Sequence, residues 1–174
     1  MTCPAVTGEV RLRRIESTGD LGPAIELARE FGDWATEQVR VELGIVIPAE
    51  ADHPTDVLDQ LLEPGGRLYI ATVGGEAVGV GGLKRLSETA AEIKRMFVRP
   101  RARGLGAGAR ILRQLIADAR EMNYETIYLE SAPFMHSAHA LYQSVGFVET
   151  DSYPGREFEG AAIDVSVCMQ LRLT

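Results

Sequence analysis

The stretch Arg95-Met-Phe-Val-Arg-Pro-Arg-Ala-Arg-Gly-Leu-Gly-Ala-Gly-Ala109 constrains this chain more than any other. It reads as the end of a strand, a cluster of arginines and the glycine-rich opening of a helix. Glycines at 104, 106 and 108 let the backbone turn and approach a ligand without Cβ clashes, so that N–H groups can point at an anion. The first N–H groups of the helix lack intrahelical partners, and its dipole places partial positive charge there. Such an end suits a pyrophosphate, with Arg101 and Arg103 adding full charges beside it. Gly108, Ile111, Leu112, Leu115, Ile116 and Ala119 recur at three- and four-residue spacing, which gives the helix one buried face.

Around this centre the chain reads as alternating elements. Gly8 to Glu16 is a first strand, and Asp20 caps a helix from Leu21 to about Val41 with a break near Gly32. Pro48 to Pro54 is a loop, and Val57, Leu58, Leu61 and Leu62 mark a short helix ended by Pro64-Gly-Gly66. Strands at 67–73 and 76–86 flank Gly74-Gly75, a hairpin turn, and a third strand covers 92–98. The glycine-loop helix leads to a strand at 126–131, which such a connection places parallel to its predecessor. A helix over 138–145 ends at Gly146, Phe147 starts another strand, Tyr153 to Gly160 is a loop, and Ile163 to Leu173 is the last strand. The sheet is therefore expected to be mixed.

At 174 residues and 45% hydrophobic, the chain has the size and apolar content of one domain. Its charge of −7 argues against a nucleic-acid partner. Cys3 and Cys168 have no metal-ligand spacing, which fits a reducing cytoplasm without a zinc site or disulfide scaffold. No segment approaches the ~20 apolar residues of a membrane span, and the N-terminus lacks a signal-length apolar run. A soluble cytoplasmic protein is expected.

Gly104 to Ala109 also satisfies the G-x-G-x-x-G/A dinucleotide fingerprint. Pro100 and the arginines separate it from the strand, however, and too little chain remains to complete such a sheet. Arg103-Gly-Leu-Gly-Ala-Gly108 resembles instead the R-x-x-G-x-G/A loop of GNAT-type N-acyltransferases. Ala138-His-Ala-Leu-Tyr-Gln-Ser-Val-Gly-Phe147 resembles that superfamily's A-x-x-L-Y-x-x-x-G-F motif. Glu92-Ile-Lys-Arg-Met-Phe-Val-Arg-Pro100 is similar to a strand common in small bacterial members, and Gly81-Gly-Leu83 to the end of the preceding one. The resemblance implies an α+β fold, with a mostly antiparallel sheet of six to seven strands, about four flanking helices and splayed central parallel strands.

It also implies acetyl transfer from acetyl coenzyme A to a primary amine by direct attack in a ternary complex, without metal, in a protein that could be a homodimer. Arg103, Gly104, Leu105, Gly106, Ala107, Gly108 and Ala109 would hold the pyrophosphate. Backbone groups of Met96, Phe97 and Val98 would pair with the pantetheine arm and polarise the acyl carbonyl. Glu92 stands where several members carry a general base, and burial would raise its pKa toward a useful value; the other reading is an exposed strand-end carboxylate paired with Lys94 or Arg95. Tyr142 matches the tyrosine that protonates the departing thiolate, although its position also belongs to a packing face. His136 and His139 have a spacing that can hold a metal, but no third ligand is identifiable. Phe31 and Trp34 are acceptor-pocket or core residues, and Arg95 an ion-pair partner. A weakly catalytic acyl-coenzyme A sensor is the competing function.

Overall fold

The computed structural model describes residues 7–46, 54–156 and 166–173. A seven-stranded sheet runs in the order β1 (Val10–Arg14), β2 (Arg67–Val73), β3 (Glu76–Arg85), β4 (Ala90–Val98), β5 (Thr126–Ser131), β7 (Val167–Arg172), β6 (Val148–Thr150). Every neighbouring pair is antiparallel except β4 and β5, which are parallel as the intervening helix requires. The helices are α1 (Gly22–Leu43), α2 (Pro54–Gln60), α3 (Ala107–Glu121) and α4 (His136–Ser144).

Two cores lie on opposite faces of this sheet. On one, Leu27 and Ala28 of α1 and Leu58 and Leu61 at α2 cover Leu68, Ile70, Val80 and Phe97. On the other, Ile111, Leu112, Leu115 and Ile116 of α3 and Tyr142 of α4 cover Ala71, Val78, Ile93, Ile127 and Met169. The period of α3 thus buries the face expected of it. Its far end is fixed by Asp118, which is buried and accepts hydrogen bonds from the Tyr69 hydroxyl at 2.7 Å and Gln114 Nε2 at 2.9 Å. Burial first, and the Asp118 carboxylate second, push the Tyr69 pKa up to about 12, so this tie stays protonated.

Several expectations are corrected. α1 passes through Gly32 without interruption, because the cost of a helical glycine, about 1 kcal/mol, is small against the burial of its apolar face. Asp20 does not cap it: it lies in a 3-10 turn, Thr18–Asp20, and receives the Ser17 hydroxyl, while Leu21 is the N-cap residue. The true stop is Gly44, left-handed at φ 67. β4 begins at Ala90, α2 ends at Gln60, and β6 begins at Val148, one residue after Phe147. The Pro48–Pro54 loop reading falls mostly outside the described residues, as do Cys3, residues 157–160 of the Tyr153–Gly160 loop and the first residues of the expected last strand.

Candidate active site at the strand splay

β4 and β5 pair only at Ala90 with Thr126, Ala91 with Ile127 and Glu92 with Tyr128, although β4 runs on to Val98 and β5 to Ser131. Beyond Glu92 the two strands part, and β5 continues its pairing with β7 alone. A bulge sits in the diverging part of β4. Val80 faces Phe97 and Gly82 faces Lys94, so Arg95 and Met96 together oppose Gly81. Arg95 accommodates this at φ 56, a region few side-chain-bearing residues occupy. Gly81 makes room for it, since a Cβ there would lie 2.4 Å from Met96 Sδ and 2.7 Å from Ile111 Cγ2.

The ladder fixes where the end of β4 points. Arg99 N–H donates to the Val78 carbonyl at 2.8 Å, so the alternation of an antiparallel pair turns the Val98 N–H and C=O toward the opposite edge, the side of the splay. The Val98 carbonyl there accepts Arg103 Nε at 3.3 Å. A 3-10 turn, Pro100–Ala102, then leads to Gly104 at φ 85 and Gly106 at φ 81, the N-cap residue of α3. A Cβ on either would meet nothing within 4 Å. These glycines answer to backbone conformation, and the space beside them is open to a ligand. The first helical hydrogen bond is Arg110 N–H to the Gly106 carbonyl, so the N–H groups of Ala107, Gly108 and Ala109 precede the ladder. Gly108 is different: it lies within α3, where a Cβ would touch Leu141 of α4 at 3.4 Å and Val98 at 3.6 Å. Its smallness brings the glycine-capped helix end, the end of β4 and α4 together. Arg101 is corrected as a loop cation, since its guanidinium is bound to the Glu76 carboxylate.

Tyr142 projects from α4 into the α3–α4 core, 6% exposed, with its ring 5.8 Å from that of Phe147. Its hydroxyl has no hydrogen-bond partner among the described residues, and burial raises its pKa, so it is a proton donor at neutral pH. Glu92 approaches from the other face. It is paired in register with Lys84, as Lys94 is with Gly82, whose added Cβ would strike Leu61 of the α1–α2 core. Glu92 is fully buried, which corrects the exposure in the alternative reading, while the pairing with Lys94 in that reading is present. Lys94 Nζ lies 3.0 Å from Glu92 Oε1, and the Tyr153 hydroxyl donates to the same oxygen at 2.7 Å. Burial disfavours its charge while the ammonium and the phenol favour it. Acid and base candidates therefore flank the splay from opposite faces.

Lys94 was legible from its i,i+2 spacing to Glu92 on one strand face. Tyr153 was not: read only as a loop residue, it stacks on Tyr128 at 4.8 Å and 13°. Nearby, the Glu130 carboxylate receives Arg156 Nε at 2.8 Å and the Ser166 hydroxyl at 2.8 Å. Toward the mouth, Phe31 lies 5.7 Å from Phe97 and 6.2 Å from Trp34, which meets Phe134 edge-on at 6.2 Å. The two N-terminal aromatics thus join core to rim, and Phe134 completes the row. His139 Nε2 is 3.1 Å from the Ser131 hydroxyl, and its ring stands edge-on to His136 at 6.4 Å. Among the described residues no cluster of three metal-binding side chains occurs and no helix is long and apolar enough to cross a membrane.

Comparison with known proteins agrees with this arrangement. Residues 26–147 match the model of the acetyltransferase (GNAT) family. An IAA acetyltransferase of Azospirillum brasilense is 35% identical over 114 residues, covering 65% of this chain and 74% of its own. The uncharacterized N-acetyltransferase YjgM of Escherichia coli is 32% identical over 121 residues, covering 66% and 72%. Among solved structures, the PaiA N-acetyltransferase of Thermoplasma acidophilum in complex with coenzyme A superposes with a TM-score of 0.69 over 95% of this chain and 99% of that one, at 16% identity.

Proposed function

This chain belongs to the acetyltransferase (GNAT) family and is an acyltransferase, and on that premise we propose that it moves an acetyl group from acetyl coenzyme A to a primary amine within a ternary complex. The observation that carries this reading is the parting of β4 and β5 directly after Glu92, beside a glycine-capped helix end. The gap offers strand-edge backbone groups at β4, and the helix end offers N–H groups and Arg103 to a pyrophosphate. A neighbour of the same fold holds coenzyme A.

In the proposed reaction the loop Arg103–Ala109 binds the pyrophosphate, and backbone groups of Met96, Phe97 and Val98 align the pantetheine arm and the thioester carbonyl. Glu92 takes a proton from the ammonium form of the acceptor, directly or through water. The amine nitrogen bonds to the carbonyl carbon, and the tetrahedral intermediate collapses by breaking the carbon–sulfur bond. Tyr142 protonates the leaving thiolate, and the second proton of the attacking nitrogen, released as the amide forms, returns to the phenolate through water. The products are an amide and coenzyme A thiol, with one proton left on Glu92 to pass to solvent. Phe31, Trp34, Phe97 and Phe134 supply an apolar wall on the acceptor side. A single domain working in the reducing cytoplasm suits the cysteine usage.

Calorimetry with acetyl coenzyme A, set beside an Arg103→Ala, Gly106→Glu double variant, tests the loop. Saturable binding is expected in the wild type and none in the variant, where a carboxylate faces the anion and a side chain is forced to φ 81. Thiol release across a panel of amines then tests turnover. Binding without release from any amine would favour the sensor function.

A further inference from the structure

The buried cluster around Glu92 carries chemistry beyond the motifs of the family. We infer that Tyr153, together with Lys94, is a positioning residue that holds Glu92 ionised and in one orientation for proton abstraction. The inference deepens the proposed reaction and rests on Glu92 as its base.

Both partners act on one oxygen. The Tyr153 hydroxyl and Lys94 Nζ converge on Glu92 Oε1 at 2.7 and 3.0 Å, from a segment after β6 and from β4 itself. Two anchors from different parts of the chain restrict the carboxyl torsion as one would not. Tyr153 is in turn held by its stack on Tyr128, the residue paired in register with Glu92 across the last rung before the splay. The anchor thus sits where the strands part. A carboxylate removed from water loses hydration that favours its charge, and a charge-assisted hydrogen bond plus an ammonium restore the balance. Burial, then the Glu92 charge, raise the Tyr153 pKa, so its proton remains in place to be donated.

Among the described residues, the other titratable groups around this site are Lys84 on β3, Tyr128 and Glu130 on β5, Cys168 on β7 and Arg156 beside Tyr153. Arg156 is engaged with Glu130, which sets the second carboxylate apart with its own cation. On the same face of the sheet, Leu61 of the α1–α2 core lies against Gly82, the register partner of Lys94. Among the described residues, Lys94 and Tyr153 are in bonding contact with Glu92 Oε1.

The test is a carbon-13 NMR titration of the full-length protein labelled at glutamate side-chain carboxyls, with Glu92→Gln to assign the signal. Tyr153→Phe removes the donor and keeps the stacked ring, and Lys94→Met removes the charge independently. In each, the Glu92 midpoint is expected about one pH unit higher, the scale on which losing one hydrogen bond to a charged group acts. A midpoint unmoved by both overturns the inference. Rate profiles are then recorded with acetyl coenzyme A and the amine giving the most thiol release. Tyr153→Phe should lower kcat about tenfold at neutral pH, leave the KM for acetyl coenzyme A within twofold, and move the acid limb upward with the midpoint. A moved midpoint with a stationary limb supports the anchoring and overturns Glu92 as base. A higher amine KM with neither midpoint nor limb moved overturns the positioning role and makes Tyr153 a wall of the acceptor pocket.

Discussion

Tyr142 separates catalysis from stability within one side chain. Its side chain is buried and its hydroxyl makes no hydrogen bond to the described residues, so Tyr142→Phe removes no hydrogen bond to them. The melting temperature should therefore hold or rise slightly, while kcat falls by about 10²-fold if the phenol delivers the proton to sulfur. Thermal denaturation and steady-state rates on one preparation check both halves, and unchanged kcat would remove the acid role. His139 makes a different prediction. Burial, with His136 second, lowers its pKa in the folded protein. The unfolded chain then binds a proton more readily, so stability is fully present above the ordinary histidine value of about 6.5 and declines as pH falls below it. His139→Gln should flatten the dependence of the melting temperature between about pH 6.5 and 5.

At the scale of elements, the bulge in β4 is maintained by its neighbour. Gly81→Ala would set a methyl against Met96 Sδ and Ile111 Cγ2, and overpacking of this kind costs about 1–3 kcal/mol. A lower denaturant midpoint and weaker acetyl coenzyme A binding are expected together, because the bulge and the exposed edge of β4 are one feature. The elements differed in how plainly they were written. Gly104 and Gly106 were readable because left-handed backbone leaves a compositional mark. The face of α3 was readable because its period is local. Gly32 misled because a glycine penalty is also local, whereas the packing that overrides it is not. Tyr153 meets Glu92 across 61 positions, and no spacing rule reaches that far. A tyrosine beside Pro154-Gly155 was a signal only in that a bulky ring in a turn needs somewhere to lie.

Across the molecule, Arg99 ties the first helix to the end of β4. Its guanidinium, 10% exposed, donates to Glu30 at 2.9 and 2.5 Å, to Glu26 at 2.5 Å and to the Ala77 carbonyl at 2.8 Å, with Glu76 at 3.3 Å. In the sequence Arg99 stands in the arginine cluster before the glycine loop, and the structure engages it with the carboxylates of α1. Their own exposure limits each pair, yet the buried cation with several donors engaged is worth more than a surface bridge. Arg99→Met should lower stability by about 2 kcal/mol in urea denaturation and loosen α1, and the acetyl coenzyme A affinity should stay near that of the wild type. A loss of affinity without a loss of stability would assign Arg99 to the ligand instead. The three-rung junction between β4 and β5 has a further consequence for motion. Two half-sheets joined over so short a seam need not open together, so amide exchange should resolve them as separate cooperative units in the free protein. A ligand lying along the edge of β4 and against the end of α3 would stitch that seam, slowing exchange in both halves at once.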